Sequence, residues 1–223
     1  MEKSWISSCY RIIGESLLHP DDRNAESLER RLKSLKSAPP SVQEALAEFM
    51  SSPNARSSTE YVTTLELSPP CPLYLGAYLF EEPTTCRDVG MSGRNNFMLE
   101  LTGIYQHFGF ELSGGELPDY LPAVVDFAGV SLEHSERDRI GLRRRFLEKN
   151  VRPGLDPLRK KLEKFESPYV LLVQALQETV DADLSQMEGT KAWEPPASDQ
   201  EGEAQRAESV CCGDPSVNEF GTR

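Results

Sequence analysis

Two carboxylates stand at a spacing that could support acid–base chemistry. Glu116 and Asp119 lie in the stretch Glu116-Leu117-Pro118-Asp119-Tyr120, across an expected helix start. Such a pair can supply a general acid and a general base only when their pKa values are pushed apart. No nucleophile or electrophile stands near them in the sequence. Helix capping and an acidic lip for a peptide are therefore both preferred to catalysis.

Other patterns for catalysis or metal binding are absent from the sequence. There is no phosphate-binding loop, no dinucleotide-binding glycine motif and no nucleophile elbow. The three histidines form no His-Glu-x-x-His pair and the five cysteines form no Cys-x-x-Cys, so no metal site is expected. The adjacent Cys211 and Cys212 are interpreted as reduced, inert thiols, with a metal or redox role as the alternative.

The overall charge limits the classes of partner. The 223 residues include 36 acidic and 24 basic side chains, which gives a net charge of −12. Nucleic acid and anionic membranes both require a clustered positive field, so neither is an expected partner. No secretory signal and no apolar run of membrane-spanning length is found. We therefore expect a cytoplasmic protein that does not insert into membranes.

The charge is unevenly distributed in the second half of the chain. Residues 111–136 contain six acidic side chains and no Lys or Arg, whereas residues 137–164 contain eleven basic and four acidic ones. One interpretation is a solvated helix face with internal ion pairs. The other is a bipolar surface, with one lip for a basic peptide and one for an acidic partner or an anionic cofactor.

Apolar residues recur at three- and four-residue steps, which predicts helices. In the first half, helices are expected at 5–17, 28–35, 41–50 and around Tyr61. Ser41 and Glu44 have the spacing of a capping box. The run 73–80 is apolar enough for a buried strand, but no second strand is evident to pair with it, so a helix is preferred.

The second half follows the same period. Residues 84–96 are expected to form a loop. Gly109 is expected to end the helix that follows this loop, and Pro118 is expected to begin the next helix. Pro153 and Pro157 are expected to bracket a turn. Helices are expected at 97–108, 118–128, 135–149, 158–165 and 168–180, with Ser135 and Ser167 as N-caps.

Composition divides the chain into two parts. Residues 1–187 are predicted to form a single compact all-α domain. Residues 188–223 hold eight acidic and three basic side chains and little periodic hydrophobicity. Such a composition cannot offset the entropy of ordering, so this part is predicted to be a disordered acidic tail.

Several short stretches carry a family resemblance, in order between residues 5 and 185. They are Tyr10 to Pro20, Tyr61 to Leu67, Leu73 to Leu75, Tyr105 to Phe110, and Glu116 to Pro122 with Asp126-Phe127 after it. Together they resemble the nitrate reductase molybdenum cofactor assembly chaperones, the NarJ family, within the TorD/DmsD group of redox-enzyme maturation proteins. The stretch Glu-Leu-Pro-Asp-x-Leu-Pro at 116–122 is the most specific part.

The resemblance implies an all-α helical bundle without catalytic activity. Such chaperones bind the N-terminal segment of the catalytic subunit of a molybdoenzyme, permit insertion of the molybdenum cofactor, and leave the finished complex. For this chain the resemblance implies no permanently bound cofactor, with transient contact to molybdopterin guanine dinucleotide through the client. It does not decide whether the protein is a monomer or a dimer.

The resemblance also implies a client-binding site. Apolar helices can seat an amphipathic peptide, and a basic leader segment would be steered toward Glu116 and Asp119. The candidate client-binding residues are Tyr74, Tyr105, Phe108, Glu116, Leu117, Pro118, Asp119 and Tyr120.

Two departures from the family pattern bear on the client. Tyr120 stands where the family usually has His, and the stretch from Thr84 to Asn96 replaces a short Arg-Gly turn. The client is therefore nitrate reductase or another type II dimethyl sulfoxide reductase-family enzyme, acting on chlorate, selenate, dimethyl sulfide or a hydrocarbon. Two alternatives belong to other functional classes. One is an enzyme that uses Glu116 and Asp119 as an acid–base pair, and the other is a permanent structural adaptor subunit.

Overall fold

The computed structural model describes residues 2–67, 69–81, 92–112, 114–134 and 139–195, with side chains from Trp5 onward. This part of the chain is helical and packs around one apolar core, which confirms the predicted all-α class. Its α-helices are α1 (Glu2–Ser16), α2 (Ala25–Ser34), α3 (Pro40–Ser51), α4 (Ser58–Tyr61), α5 (Gly76–Leu79), α6 (Gly93–His107), α7 (Leu121–Glu133), α8 (Ile140–Arg145), α9 (Arg152–Lys164) and α10 (Tyr169–Gln186). Two π-helical segments, Val62–Glu66 and Phe146–Val151, continue α4 and α8.

The start of α3 differs from the expected capping box. Pro39 occupies the N-cap position and makes no side-chain cap bond. The Ser41 hydroxyl instead donates a hydrogen bond to the carboxylate of Glu178 on α10. The capping-box prediction is wrong because this hydroxyl is used for a tertiary contact between two packed helices.

The apolar run 73–80 is helical only over Gly76–Leu79. Before that, Tyr74 forms an isolated antiparallel bridge with Tyr120. The Leu75 amide donates to the Asp119 carbonyl over 3.0 Å, and the Leu121 amide donates to the Leu73 carbonyl over 2.7 Å. The prediction of a helix along the whole run is therefore wrong. The first part of the run instead pairs with Tyr120, an extended residue far along the chain.

The same bridge explains where α7 begins. Pro118 was expected to start this helix, but α7 begins at Leu121 and has Pro122 in its first turn. The backbone at 119–120 is held in an extended conformation by the pairing with 73–75, so the helix cannot begin before Leu121. The end of α6 is as predicted, since Gly109 has a φ of +73° and its amide donates to the Gln106 carbonyl.

The two prolines expected to bracket a turn lie inside one helix. Pro153 stands in the first turn of α9, where a missing N–H costs little, and Pro157 lies in the interior. Pro157 removes one backbone hydrogen bond, yet α9 continues and buries Leu155, Leu158 and Leu162. Packing of this apolar stripe against α10 outweighs the lost bond.

The last helix boundaries also differ in detail. Pro168 is the N-cap of α10, and the buried hydroxyl of Ser167 makes no hydrogen bond to any described residue, so the predicted Ser167 cap is wrong. The predicted Ser135 cap and residues 84–91 of the expected loop lie outside the described residues. The loop prediction is wrong for residues 93–96, because Ser92 caps α6 and the helix begins at Gly93.

Residues beyond α10 contact α8. The Trp193 amide donates to the Gly141 carbonyl over 3.0 Å. One Arg144 nitrogen donates to the carbonyls of Met187 and Thr190 over 2.8 and 2.9 Å. The fold contacts thus extend past residue 187, and residues 196–223 of the predicted tail lie outside the described part.

A buried ion pair connects four helices. Arg143 of α8 and Asp183 of α10 are almost wholly buried and form a salt bridge. Arg143 also donates to the Ala128 carbonyl over 2.8 Å and to the Ser131 hydroxyl, both on α7. The Tyr10 hydroxyl of α1 donates to Asp183 over 2.9 Å. Burial, reinforced by the Asp183 charge, raises the pKa of Tyr10 well above its ordinary value.

Replacing Asp183 with alanine should leave the Arg143 guanidinium buried without a counter-charge. We expect Asp183→Ala to lower the free energy of unfolding by about 3–5 kcal/mol, the usual cost of breaking a buried pair. The matched variant Tyr10→Phe removes one hydrogen bond and should cost about 1 kcal/mol. Urea denaturation followed by circular dichroism measures both. Equal costs would contradict this account of the network.

Candidate functional site

The stretch 116–120 is fixed from two sides. The backbone bridge to Tyr74 holds one end, and the Tyr105 hydroxyl donates to the Pro118 carbonyl over 2.8 Å. Asp119 has no exposed surface. One of its carboxylate oxygens accepts from the Gly76 amide over 3.0 Å and from Arg94 over 3.0 and 3.2 Å.

The predicted acidic pair is therefore divided between the interior and the surface. Asp119 cannot present its charge on an acidic lip, so that expectation is wrong for this residue. Neither carboxylate caps α7, whose N-cap is Tyr120 without a side-chain bond. Asp119 instead satisfies the first amide of the short helix α5, while Glu116 is exposed. Asp119 thus serves the structure, whereas Glu116 stays at the surface and accepts a hydrogen bond from Tyr74.

Tyrosines surround the exposed end of the stretch. The rings of Tyr74 and Tyr120 lie 5.4 Å apart between centroids. Burial raises the pKa of Tyr74, and the charges of Glu116 and Asp119 add to the rise. Burial also raises the pKa of Tyr120. Both hydroxyls therefore stay neutral around pH 7 and can donate hydrogen bonds.

A groove of about 560 Å³ opens beside this stretch, between α1 and α7. Its apolar lining includes Leu18, Phe110, Leu112, Ala123 and Val130. Its charged lining comprises the carboxylates of Glu15, Glu111, Glu116 and Asp126 against the guanidinium groups of Arg11 and Arg31. Carboxylates outnumber cations, and Arg11 is already paired with Glu133. An apolar lining with an excess of carboxylates suits an amphipathic basic peptide.

The structure brings only some of the predicted client-binding residues to this groove. Glu116 and Tyr120 line it. Leu117 is exposed nearby in sequence, whereas Tyr105 is buried. Tyr105 and Phe108 pack on Phe127 with ring centroids 4.6 and 5.3 Å away. These two aromatic side chains belong to the packing beneath α7 and do not line the groove.

Sequence reasoning missed the contribution of α1. Gly14, Glu15 and Leu18 line the groove, but helical periodicity assigns α1 only a buried face. Leu18 follows the end of α1 and is 36% exposed in the structure, and no spacing in the sequence pointed to it. Gly14 and Gly129 also mark a close approach of the two helices, because a Cβ at Gly129 would lie 3.3 Å from Tyr10 Cβ.

The basic stretch after residue 137 is largely neutralised by ion pairs. Arg143 is buried against Asp183. On the surface, further pairs join Arg144 to Glu148, Arg145 to Glu100, Arg152 to Asp181, and both Arg159 and Lys160 to Asp156. This arrangement supports the interpretation as a helix face with internal ion pairs.

Within the described ranges, no group of three or more His, Cys, Asp or Glu side chains is placed to hold a metal ion. None of the helices seen there combines the length and the apolar character that crossing a membrane requires.

The described residues define a helical protein with an apolar and acidic groove between α1 and α7. Comparison with known proteins identifies the family. The model of the nitrate reductase delta subunit family matches residues 24–183, and the chain belongs to that family. Membership confirms the resemblance found in the sequence and, with it, the prediction that the protein is not an enzyme.

One curated relative illustrates the similarity. The chain is 24% identical over 181 residues to the probable nitrate reductase molybdenum cofactor assembly chaperone NarW of Escherichia coli strain K12. The matched region covers 81% of this chain and 71% of that protein.

The close contact between Gly76 and Asp119 leaves no room for a side chain at position 76. A Cβ at Gly76 would lie 2.6 Å from Asp119 Oδ2 and 2.8 Å from Arg94 Nε. We expect Gly76→Ala to lower the free energy of unfolding by about 1–3 kcal/mol through overpacking.

The matched control is Gly103→Ala in α6, where a Cβ meets no atom within 4 Å. This variant should gain about 0.5–1 kcal/mol, since alanine restricts the unfolded chain and favours helix. Chemical denaturation measures both variants. A gain at both positions would show that Asp119 is not held tightly against α5.

Proposed function

We propose that this protein is a chaperone for the assembly of a molybdenum-containing nitrate reductase. It binds the catalytic subunit before assembly, keeps it competent for insertion of the molybdenum cofactor, and is absent from the finished enzyme. Membership of the nitrate reductase delta subunit family supports this proposal. The name of the NarW relative, a probable cofactor assembly chaperone, supports it further.

The observation that carries the proposal is the groove between α1 and α7. Apolar side chains form its floor and four carboxylates line it. The N-terminal segment of the catalytic subunit is the proposed occupant, bound as an amphipathic segment with basic residues toward Glu116 and Asp126. A groove for a segment of another protein meets the need of a chaperone, which must release its client intact.

The proposed role also implies what cofactor the protein holds and where in the cell it acts. The chaperone holds no cofactor of its own, and any contact with molybdopterin guanine dinucleotide is transient and passes through the client. It acts in the cytoplasm, where the catalytic subunit is available before assembly. The same groove could serve another type II dimethyl sulfoxide reductase-family enzyme, such as a chlorate, selenate, dimethyl sulfide or hydrocarbon oxidoreductase.

A second candidate is a permanent structural subunit of the enzyme. The description of the matched family as a subunit favours this reading. The two candidates differ in when the chain is bound, because a chaperone leaves and a subunit stays.

Reversing charge at the groove should weaken binding of the client. We expect Glu116→Lys with Asp126→Lys to raise the Kd for a peptide of the catalytic subunit's N-terminal segment roughly tenfold, or about 1.4 kcal/mol. Both side chains are exposed at the groove and would repel a basic segment. Isothermal titration calorimetry measures the change. Added salt should weaken the wild-type complex more than that of the variant.

The matched control reverses two exposed carboxylates on α3, which does not line the groove. Glu44→Lys with Glu48→Lys makes the same change in net charge and should leave the Kd within about twofold. Equal weakening by both double variants would assign the effect to net charge and remove the groove from the proposal.

The stage of assembly at which the chain is bound separates a chaperone from a subunit. Affinity purification from cells that cannot make the molybdenum cofactor should recover the catalytic subunit with this protein. Purification of the mature enzyme from cofactor-replete cells should recover the enzyme without it. Stoichiometric presence in the mature enzyme would establish the structural subunit instead.

A further inference from the structure

A second cavity lies apart from the groove. It has a volume of about 770 Å³ and opens between α6, α8 and the π-helical segment that follows α8. Its apolar walls include Phe97, Leu99, Ile104, Leu142 and Trp193. Leu99 is 65% exposed and Trp193 is 47% exposed. Apolar side chains with this much contact to water mark a surface that a ligand or another segment covers.

The cavity contains a buried polar group without a partner. Asn150 is 2% exposed and lines the cavity from the π-helical segment. Its buried Oδ1 atom has no hydrogen-bond partner among the described atoms. Buried carboxamide oxygens are rarely left unsatisfied, and π-helical segments are common at functional sites. The backbone N–H of an extended peptide is a donor that suits this oxygen.

The charge at this cavity is opposite in sign to that of the groove. Arg145 is paired with Glu100, which leaves Lys149 as a lining cation with no ion pair among the described residues. His107 also lines the cavity. An acidic segment is therefore favoured here, whereas the carboxylates of the groove would repel it.

The chain that follows α10 reaches the cavity. Pro195 is a lining residue, and residues 196–223 continue from that point with six acidic and two basic side chains. Within this segment the apolar run Val210-Cys211-Cys212 stands between Glu208 and Asp214. A random-coil chain of the length from 196 to 210 has a root-mean-square span of roughly 20 Å, so the run can return to the cavity.

We propose that the C-terminal segment of this chain docks in the second cavity. The run Val210-Cys211-Cys212 fills the apolar walls, the backbone donates to Asn150, and the flanking carboxylates face Lys149. Tethering at Pro195 gives the segment a high effective concentration at the cavity. The docked segment covers Leu99 and Trp193 and leaves the acidic groove as the open surface for a client.

Native thiols in the segment allow a direct test in the full-length protein. Leu99→Cys places a thiol at the cavity, in a Cys86→Ser background that removes the cysteine between Phe80 and Gly93. Mild oxidation should join Cys211 or Cys212 to the new thiol within one chain, detected by non-reducing peptide mass mapping. Cys9 and Cys71 are buried and do not compete.

The matched control is Leu67→Cys in the same background. Leu67 is 71% exposed and does not line the cavity, so it reports crosslinking away from the proposed site. We expect the cavity thiol to crosslink at least roughly tenfold faster, which tethered docking readily provides. Lys149→Glu should lower that rate several-fold, with no change at Leu67→Cys. Equal rates at the two positions, or crosslinks between two chains, would overturn the proposal.

Discussion

A guanidinium and a carboxylate with almost no exposed surface meet in the interior of the helical fold. Charges removed from water are unfavourable unless their partners are well placed, so the Arg143–Asp183 pair restricts how α8 and α10 can pack. Tyr10 and Ser131 complete the pair from α1 and α7. These last two helices form the walls of the groove. The buried pair therefore sets the geometry of the surface on which the proposed function depends.

The stretch 116–122 combines structural and binding roles in a few residues. Asp119 joins α5 and α6 through the Gly76 amide and Arg94, and Tyr120 pairs with Tyr74. Glu116, carried on the same short stretch, reaches the groove. A rigid inner contact next to an exposed carboxylate fixes where that charge is presented, which a loop without such an anchor could not do.

Local sequence signals predicted much of the helical framework. The apolar periods of α1, α2, α6 and α10 placed these helices, and Gly109 marked the end of α6 because only a left-handed turn fits there. Where a residue is used by a distant partner, prediction was wrong. Ser41 bonds Glu178 instead of capping its own helix, and the Tyr74–Tyr120 bridge delays the start of α7 to Leu121.

The sequence by itself determined the helical class, the family and the absence of a catalytic constellation, because periodicity, composition and short motifs are local properties. Tertiary structure alone decided which of two similar carboxylates is buried and which is exposed. It also brought Glu15 of α1, and Leu18 just after that helix, beside Glu116 and Asp126 to form one groove. Contacts between residues a hundred positions apart depend on how the helices pack, and no spacing in the sequence encodes them directly.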